Sequence, residues 1–172
     1  ENDFRMESIQ TAITYCHALG KKLYLTMNIF PHNRKVSSFE STLAEVAGLK
    51  PDGLIIADPG MVMYAREKHP ELSLHLSTQS NTVNWMTVKF WHQLGVRRII
   101  LSRELALDEI REIRQKVPDI ELEIFIHGAI CMAYSGRCLL SNYFNHRDAN
   151  QGVCTNACRW QYKVYEEPAE KQ

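Results

Sequence analysis

Apolar positions between Phe4 and His127 follow two alternating rhythms. Phe4, Ile9, Ala12, Ile13, Cys16 and Leu19 recur at helical spacing, and Gly20 ends the run. Residues 23–29 then form a short apolar block closed by Pro31, which reads as a buried strand. The pair repeats. Further helices are predicted over residues 39–49, 61–68, about 82–94 and 107–117, and further strands over 53–57, 72–77, 98–101 and 121–126. Asp58-Pro59-Gly60 reads as a turn.

Short strands alternating with helices imply right-handed βαβ units around a parallel sheet, hence an α/β protein. An open doubly wound sheet and a closed barrel both use that alternation. No Gly-x-Gly-x-x-Gly follows any strand, so a dinucleotide-binding sheet has nothing to rest on. A complete barrel of the TIM type takes about 250 residues and eight strands. Five predicted strands therefore point to a partial (β/α) barrel: an incomplete catalytic domain over residues 1–127, with a cysteine-rich segment, 128–172, appended. Without an initiator Met, the chain reads as a piece of something longer.

Composition narrows the classes. The net charge is zero, which argues against a purely electrostatic nucleic-acid binder and leaves room for a local basic patch. No apolar run approaches the roughly 20 residues of a membrane span. The polar opening Glu1-Asn2-Asp3 is no signal peptide, and an odd number of cysteines favours the reducing cytoplasm.

Four of the five cysteines fall in one stretch, spaced Cys131-x6-Cys138-x15-Cys154-x3-Cys158. Disulfides suit an oxidising compartment, for which nothing speaks. A catalytic thiol could use His127 or His146 as its base, but would leave three cysteines without a role. Four thiolates match the ligand count of a tetrahedral zinc site and of a [4Fe–4S] cluster. Zinc sites favour Cys-x-x-Cys, which is absent, so the spacing leans toward iron and sulfur, with zinc still open. Cys16 belongs to the apolar face of the first helix and reads as core. Gly128, Gly136 and Gly152 let the backbone fold tightly, and Arg137 and Arg159 adjoin proposed ligands. Tyr134, Tyr143, Phe144 and Trp160 are expected either to shield the centre or to pack on the barrel.

In parallel α/β sheets chemistry gathers beyond the carboxyl ends of the strands. Those ends supply Asn28, Asp58, Gln79 with Asn81, Ser102-Arg103-Glu104 and His127-Gly128. Arg103, Glu104 and His127 are the catalytic candidates; Arg103, Arg137, Asn28, Asp58 and Gln79 are the substrate-binding ones. The Arg103 guanidinium could grip a carboxylate or phosphate, or pair with Glu104 or Asp108. Proteolysis finds no Gly-x-Ser-x-Gly elbow and no His-Glu-x-x-His helix, and Ser135 has no evident base.

EIFIHGAICMAYSGRCLLS, Glu123 to Ser141, resembles the signature of the U32 peptidase family, often called collagenase-like proteases. Glu123, Phe125, Gly128, Ala129, Ile130, Cys131, Gly136, Cys138 and Ser141 fill that signature. ADPG (57–60), VNWMTVKFW (83–91) and LSREL (101–105) resemble the tRNA-hydroxylating branch of the family. The likeness runs to about Tyr162 and implies a barrel whose first strands, and a further domain, lie outside this chain. Two activities are implied: hydrolysis of collagen-like or unfolded chains, and C5 hydroxylation of the wobble uridine of tRNA, with prephenate as cosubstrate and an iron–sulfur cluster. The resemblance carries the cluster ligands most directly to Cys131 and Cys138, and less directly to Cys154 and Cys158. Related members hydroxylate ribosomal RNA, or act as a pair in ubiquinone synthesis, so a homo- or hetero-oligomer is a further expectation. A non-catalytic subunit with a structural metal site is the third reading.

Overall fold

The computed structural model describes residues 4–163. Five strands, β1 (Tyr24–Met27), β2 (Gly53–Ile56), β3 (Leu74–Leu76), β4 (Arg98–Ile100) and β5 (Glu121–Glu123), form one sheet in the order β1-β2-β3-β4-β5, every pairing parallel. Strands that succeed one another in a single direction, joined by right-handed crossovers, put their helices on one face. That order separates this sheet from a doubly wound one, whose order reverses at a switch point.

Between the strands run α1 (Met6–Ala18), α2 (Asn33–Gly48), α3 (Pro59–Lys68), α4 (Trp85–Gln93) and α5 (Leu107–Lys116). Met27, Ile56, Leu76, Ile99 and Leu122 make one row across the sheet. With Leu54 and Leu74 this face meets Phe39, Leu43 and Val46 of α2, Val62 of α3, Val88 and Trp91 of α4, and Ile113 of α5. Full burial of each Leu or Ile contributes about 1.5–3 kcal/mol, so this layer is the main stabilising mass. Cys16, expected in the core, is half-buried on α1, while Ile9 and Ile13 are buried.

The opposite face alternates with the first and is polar and aromatic. Thr26, Ile55, His75, Arg98 and Glu121 share one row. The Tyr24 and His75 rings lie 4.8 Å apart, Arg98 sits over the Tyr24 ring, and its Nη2 is 2.6 Å from Glu121 Oε2. Gly53 makes room for this stack: a Cβ there would meet His75 Nε2 and Tyr24 Cδ1 at 2.9 Å. Burial holds the His75 imidazole down at about 4, and the nearby Arg98 guanidinium acts in the same direction.

The helices match the expected pattern with shifted ends. α2 starts at Asn33, six residues ahead of the predicted 39, because its first turn is polar and gives no apolar rhythm. Asp58-Pro59-Gly60 is not a free turn. Asp58 caps α3, its Oδ1 accepting from Met61 N at 3.0 Å, and Pro59 occupies the first helical position. β5 stops at Glu123 rather than 126; the Leu101 N to Glu123 O bond ends its pairing, and beyond it Ile126 is 89% exposed. The cysteine-rich segment was expected to run from 128 to 172, of which 164–172 lie outside the described residues. Its described part contains one short helix, α6 (Leu140–Asn145), and three 3₁₀ turns. Among the described residues no helix is long and apolar enough to cross a membrane.

Candidate redox-centre site

The cysteine-rich segment lies over the carboxyl ends of the strands, and polar side chains fasten it there. Beyond β1, Phe30 N donates to Asn150 O at 3.0 Å, and Gln151 Nε2 donates to Phe30 O. Beyond β3, Asn81 Nδ2 donates to Tyr134 O at 3.3 Å and Arg137 Nε to Gln79 O at 3.0 Å. Beyond β4 stands the tightest fastening. Glu104 accepts from Ser135 N at 2.7 Å through one carboxylate oxygen, and from Ser135 Oγ at 2.8 Å through the other. Having spent its proton on the carboxylate, Ser135 Oγ accepts from Ser102 Oγ at 2.8 Å. Ser135 is 0% exposed and holds a left-handed backbone, φ 47°, that only over-determined surroundings maintain.

Held this way, the segment encloses a cavity of about 660 Å³. All four of Cys131, Cys138, Cys154 and Cys158 line it, together with Arg103, Arg137, Arg159 and Gln79. The strand-end alternation and the cysteine spacing thus converge on one place. Gln79 Oε1 is buried there among the described residues without a hydrogen-bond partner. A larger apolar groove of about 770 Å³, beside α1, β1 and α2, contains none of these residues.

The backbone presents donors to two of the sulfurs. Leu140 N donates to Cys138 Sγ and Asn156 N to Cys154 Sγ, both at 3.3 Å. Ser141 Oγ lies 3.8 Å from Cys154 Sγ and accepts from Thr155 N at 3.1 Å. Asn150 Nδ2 donates to Cys138 O at 3.0 Å. Hydrogen bonds to sulfur tune the potential of a bound cluster. Among the described residues no group of three or more His, Cys, Asp or Glu side chains is placed to hold a metal ion. Four sulfur donors, cationic neighbours and N–H groups aimed at sulfur suit an iron–sulfur cluster by their chemistry.

Arg103 pairs with neither predicted partner in an ion pair. Asp108 binds Arg111, Glu104 is engaged by Ser135, and the Arg103 guanidinium lies 5.1 Å over the Phe125 ring. Arg137 is stacked likewise, 4.7 Å over Phe30. A guanidinium held by its face keeps in-plane donors for an anion. Arg103 also lines a smaller pocket of about 280 Å³ with Phe125, His127 and Leu107, so it stands on the wall between two cavities. His127 is exposed at that pocket.

Other candidates have structural work. Asp58 caps α3. Asn28 Nδ2 lies 3.5 Å from Ser77 Oγ, tying the β1 and β3 loops together. Glu104 is no free base: both oxygens are engaged, and although burial opposes ionisation, the Ser135 hydroxyl and amide and the Arg103 charge hold its carboxyl below the usual range. Ser135 is sealed and bonded, a poor nucleophile. Tyr134 and Tyr143 are 54% and 79% exposed and Phe144 and Trp160 44% and 45%, and the four are not among the residues lining the cavity. The Glu104–Ser135–Ser102 contact joins residues 31 and 33 positions apart, and no spacing motif announced it.

The family model described as "Peptidase family U32" matches residues 1–172. The chain belongs to peptidase family U32. Within it, the chain is 60% identical over 165 residues to the tRNA hydroxylation protein P of Haemophilus influenzae, covering 96% of this chain and 36% of that one. It is 35% identical over 159 residues to a 23S rRNA 5-hydroxycytidine synthase of Escherichia coli, covering 92% of this chain and 24% of that one. A solved U32 peptidase structure superposes with a TM-score of 0.61 at 20% identity, over 74% of this chain and 54% of that one, which supports the fold. The chain spans 36% to 47% of the length of the tRNA hydroxylation proteins it matches.

Proposed function

We propose that this U32 chain carries the redox-centre site of an RNA hydroxylase, one that places a hydroxyl on C5 of the wobble uridine of tRNA. The observation that carries the reading is the single cavity at the strand ends lined by four cysteines and three arginines. The relatives named as tRNA and rRNA hydroxylation proteins support the substrate class. In this reading Cys131, Cys138, Cys154 and Cys158 hold a [4Fe–4S] cluster. When bound, that cluster supplies the electron transfer that no protein side chain provides. Arg103 and Arg137, pre-oriented by Phe125 and Phe30, receive the carboxylates of prephenate. Glu104, through Ser135, positions the loop that bears Cys131 and Cys138.

The test is nucleoside mass spectrometry of tRNA from cells lacking their own uridine hydroxylases and expressing this chain within its full-length protein. Wild type yields uridine one oxygen heavier; Cys131→Ser and Arg103→Ala abolish it. Unmodified tRNA from wild type, or full hydroxylation by Cys131→Ser, overturns the proposal. Proteolysis has no supporting geometry, since Ser135 is buried and bonded to Glu104.

A further inference from the structure

Two consecutive residues at the start of α6 serve two different sulfurs. Leu140 N donates to Cys138 Sγ at 3.3 Å, and the Ser141 hydroxyl lies 3.8 Å from Cys154 Sγ. Ser141 is 1% exposed and lines the cysteine cavity. A hydroxyl sealed from water costs stability unless its hydrogen bonds are made. No step of the proposed hydroxylation uses this one.

The bonds around Ser141 decide where its proton goes. Its Oγ accepts from Thr155 N at 3.1 Å. Thr155 Oγ1 stands 3.2 Å from Ser141 Oγ and 3.2 Å from Asn145 Oδ1. A carboxamide oxygen can only accept, so the single Thr155 hydroxyl proton goes to Asn145. The Ser141 proton is left with two acceptors in reach, the Thr155 hydroxyl and the Cys154 sulfur. A cysteine that holds a metal has lost its proton and carries negative charge. Charge-assisted bonds are roughly twice as strong as neutral ones, so a ligating sulfur takes the Ser141 proton. Cys154 is also an exposed cysteine, whereas Cys131 and Cys138 are half-buried. Asn156 N already donates to its sulfur at 3.3 Å from the same loop, and Ser141 brings a second donor from α6.

We infer that Ser141 is a positioning residue for the redox centre: its hydroxyl donates to the Cys154 sulfur, fixes that ligand against α6, and raises the reduction potential of the centre held there. This rests on the proposed reading of the four cysteines as cluster ligands, and adds a residue that sets the potential. Reduction adds one negative charge, part of which falls on the sulfurs. A donor aimed at sulfur therefore stabilises the reduced state more than the oxidised one. Removing the hydroxyl lowers the potential. Water entering a loosened site would raise it, because water too favours the more highly charged state. The sign of the shift thus separates a donor from a packing role.

The test is a redox titration, read by electron paramagnetic resonance, of the full-length protein purified anaerobically, with iron counted in each sample. Ser141→Ala keeps about four irons per chain. Its reduced-to-oxidised ratio at a fixed potential falls about 10-fold, the order of one charge-assisted hydrogen bond, which is about 59 mV for one electron. Ser141→Thr restores the hydroxyl and with it the wild-type potential. Thr155→Val leaves Ser141 and the Thr155 amide in place, and leaves the potential unchanged. A Ser141→Ala potential equal to that of wild type, or above it, overturns the inference. If Ser141→Ala loses its iron, Ser141→Thr decides: iron kept at the wild-type potential supports the donor, and iron lost there too overturns it. Wild-type protein without iron overturns this inference and the cluster reading together. A lowered Ser141→Ala potential in a protein that leaves tRNA unmodified sinks only the hydroxylase reading; normal hydroxylation with an unmoved Ser141→Ala potential sinks only the Ser141 donor.

Discussion

Replacing Glu104 by Ala removes the fastening between β4 and the loop carrying Cys131 and Cys138. Both lost bonds are charge-assisted, and each such bond is worth about 1.5–3 kcal/mol where it is shielded. Glu104 is itself exposed, so water takes over part of its role, and the pair together is worth about 2 kcal/mol. At 1.4 kcal/mol per decade, the loop opens roughly 30-fold more often. Native-state hydrogen exchange reads this at the Gly136 and Arg137 amides. Their own bonds, to Ala133 O at 3.1 Å and Tyr134 O at 3.0 Å, are untouched by the substitution. The two amides should exchange about 30-fold faster, while Leu54 and Ile99 in the core keep their rates; Ser135→Ala should give a smaller increase. Acid should mimic the substitution in the wild type. The Glu104 carboxyl sits below its ordinary 4.5 in the folded state, so the latch is fully formed above 4.5 and lost as pH falls through the lower folded value. An acceleration below about 3-fold, or an equal one in the core, would refute a local latch.

Gly53→Ala should force the Tyr24–His75 stack apart and cost about 1–3 kcal/mol in urea unfolding; an unchanged midpoint would mean the rings have slack. His75 is held near 4 against an ordinary 6.5, so its contribution is whole above 6.5 and declines as pH falls toward 4, by up to about 3 kcal/mol. His75→Gln should flatten that part of the stability–pH curve. Arg137→Lys keeps the charge but loses the planar face over Phe30 and the Nε bond to Gln79 O, and should cost about 1 kcal/mol of segment docking, read by exchange at the Phe30 amide.

The parallel sheet was legible because Leu54, Ile56, Leu74 and Leu76 sit in apolar blocks too short for helices. Strand order was not, since the alternation is common to doubly wound and singly wound sheets. The cap at Asp58 was misread as a turn, although an Asp-Pro pair before an apolar rhythm is a helix-start signal. The four cysteines were found by clustering in the sequence, and all four line one cavity. What escaped was long-range and polar: Glu104 to Ser135, Gln151 to Phe30, Asn150 to Cys138. Such bonds leave no period in the chain. Arg103 illustrates the same limit, because its partner is the face of Phe125 rather than either nearby acid.

The central claim is that Cys131, Cys138, Cys154 and Cys158 together hold an iron–sulfur centre. Iron and acid-labile sulfide counts on anaerobically purified protein test it directly. The account predicts about four of each per chain, lost on Ser substitution at any of the four positions and retained in Cys16→Ser. Iron-free protein, a single zinc in its place, or iron that survives Cys154→Ser and Cys158→Ser would contradict it.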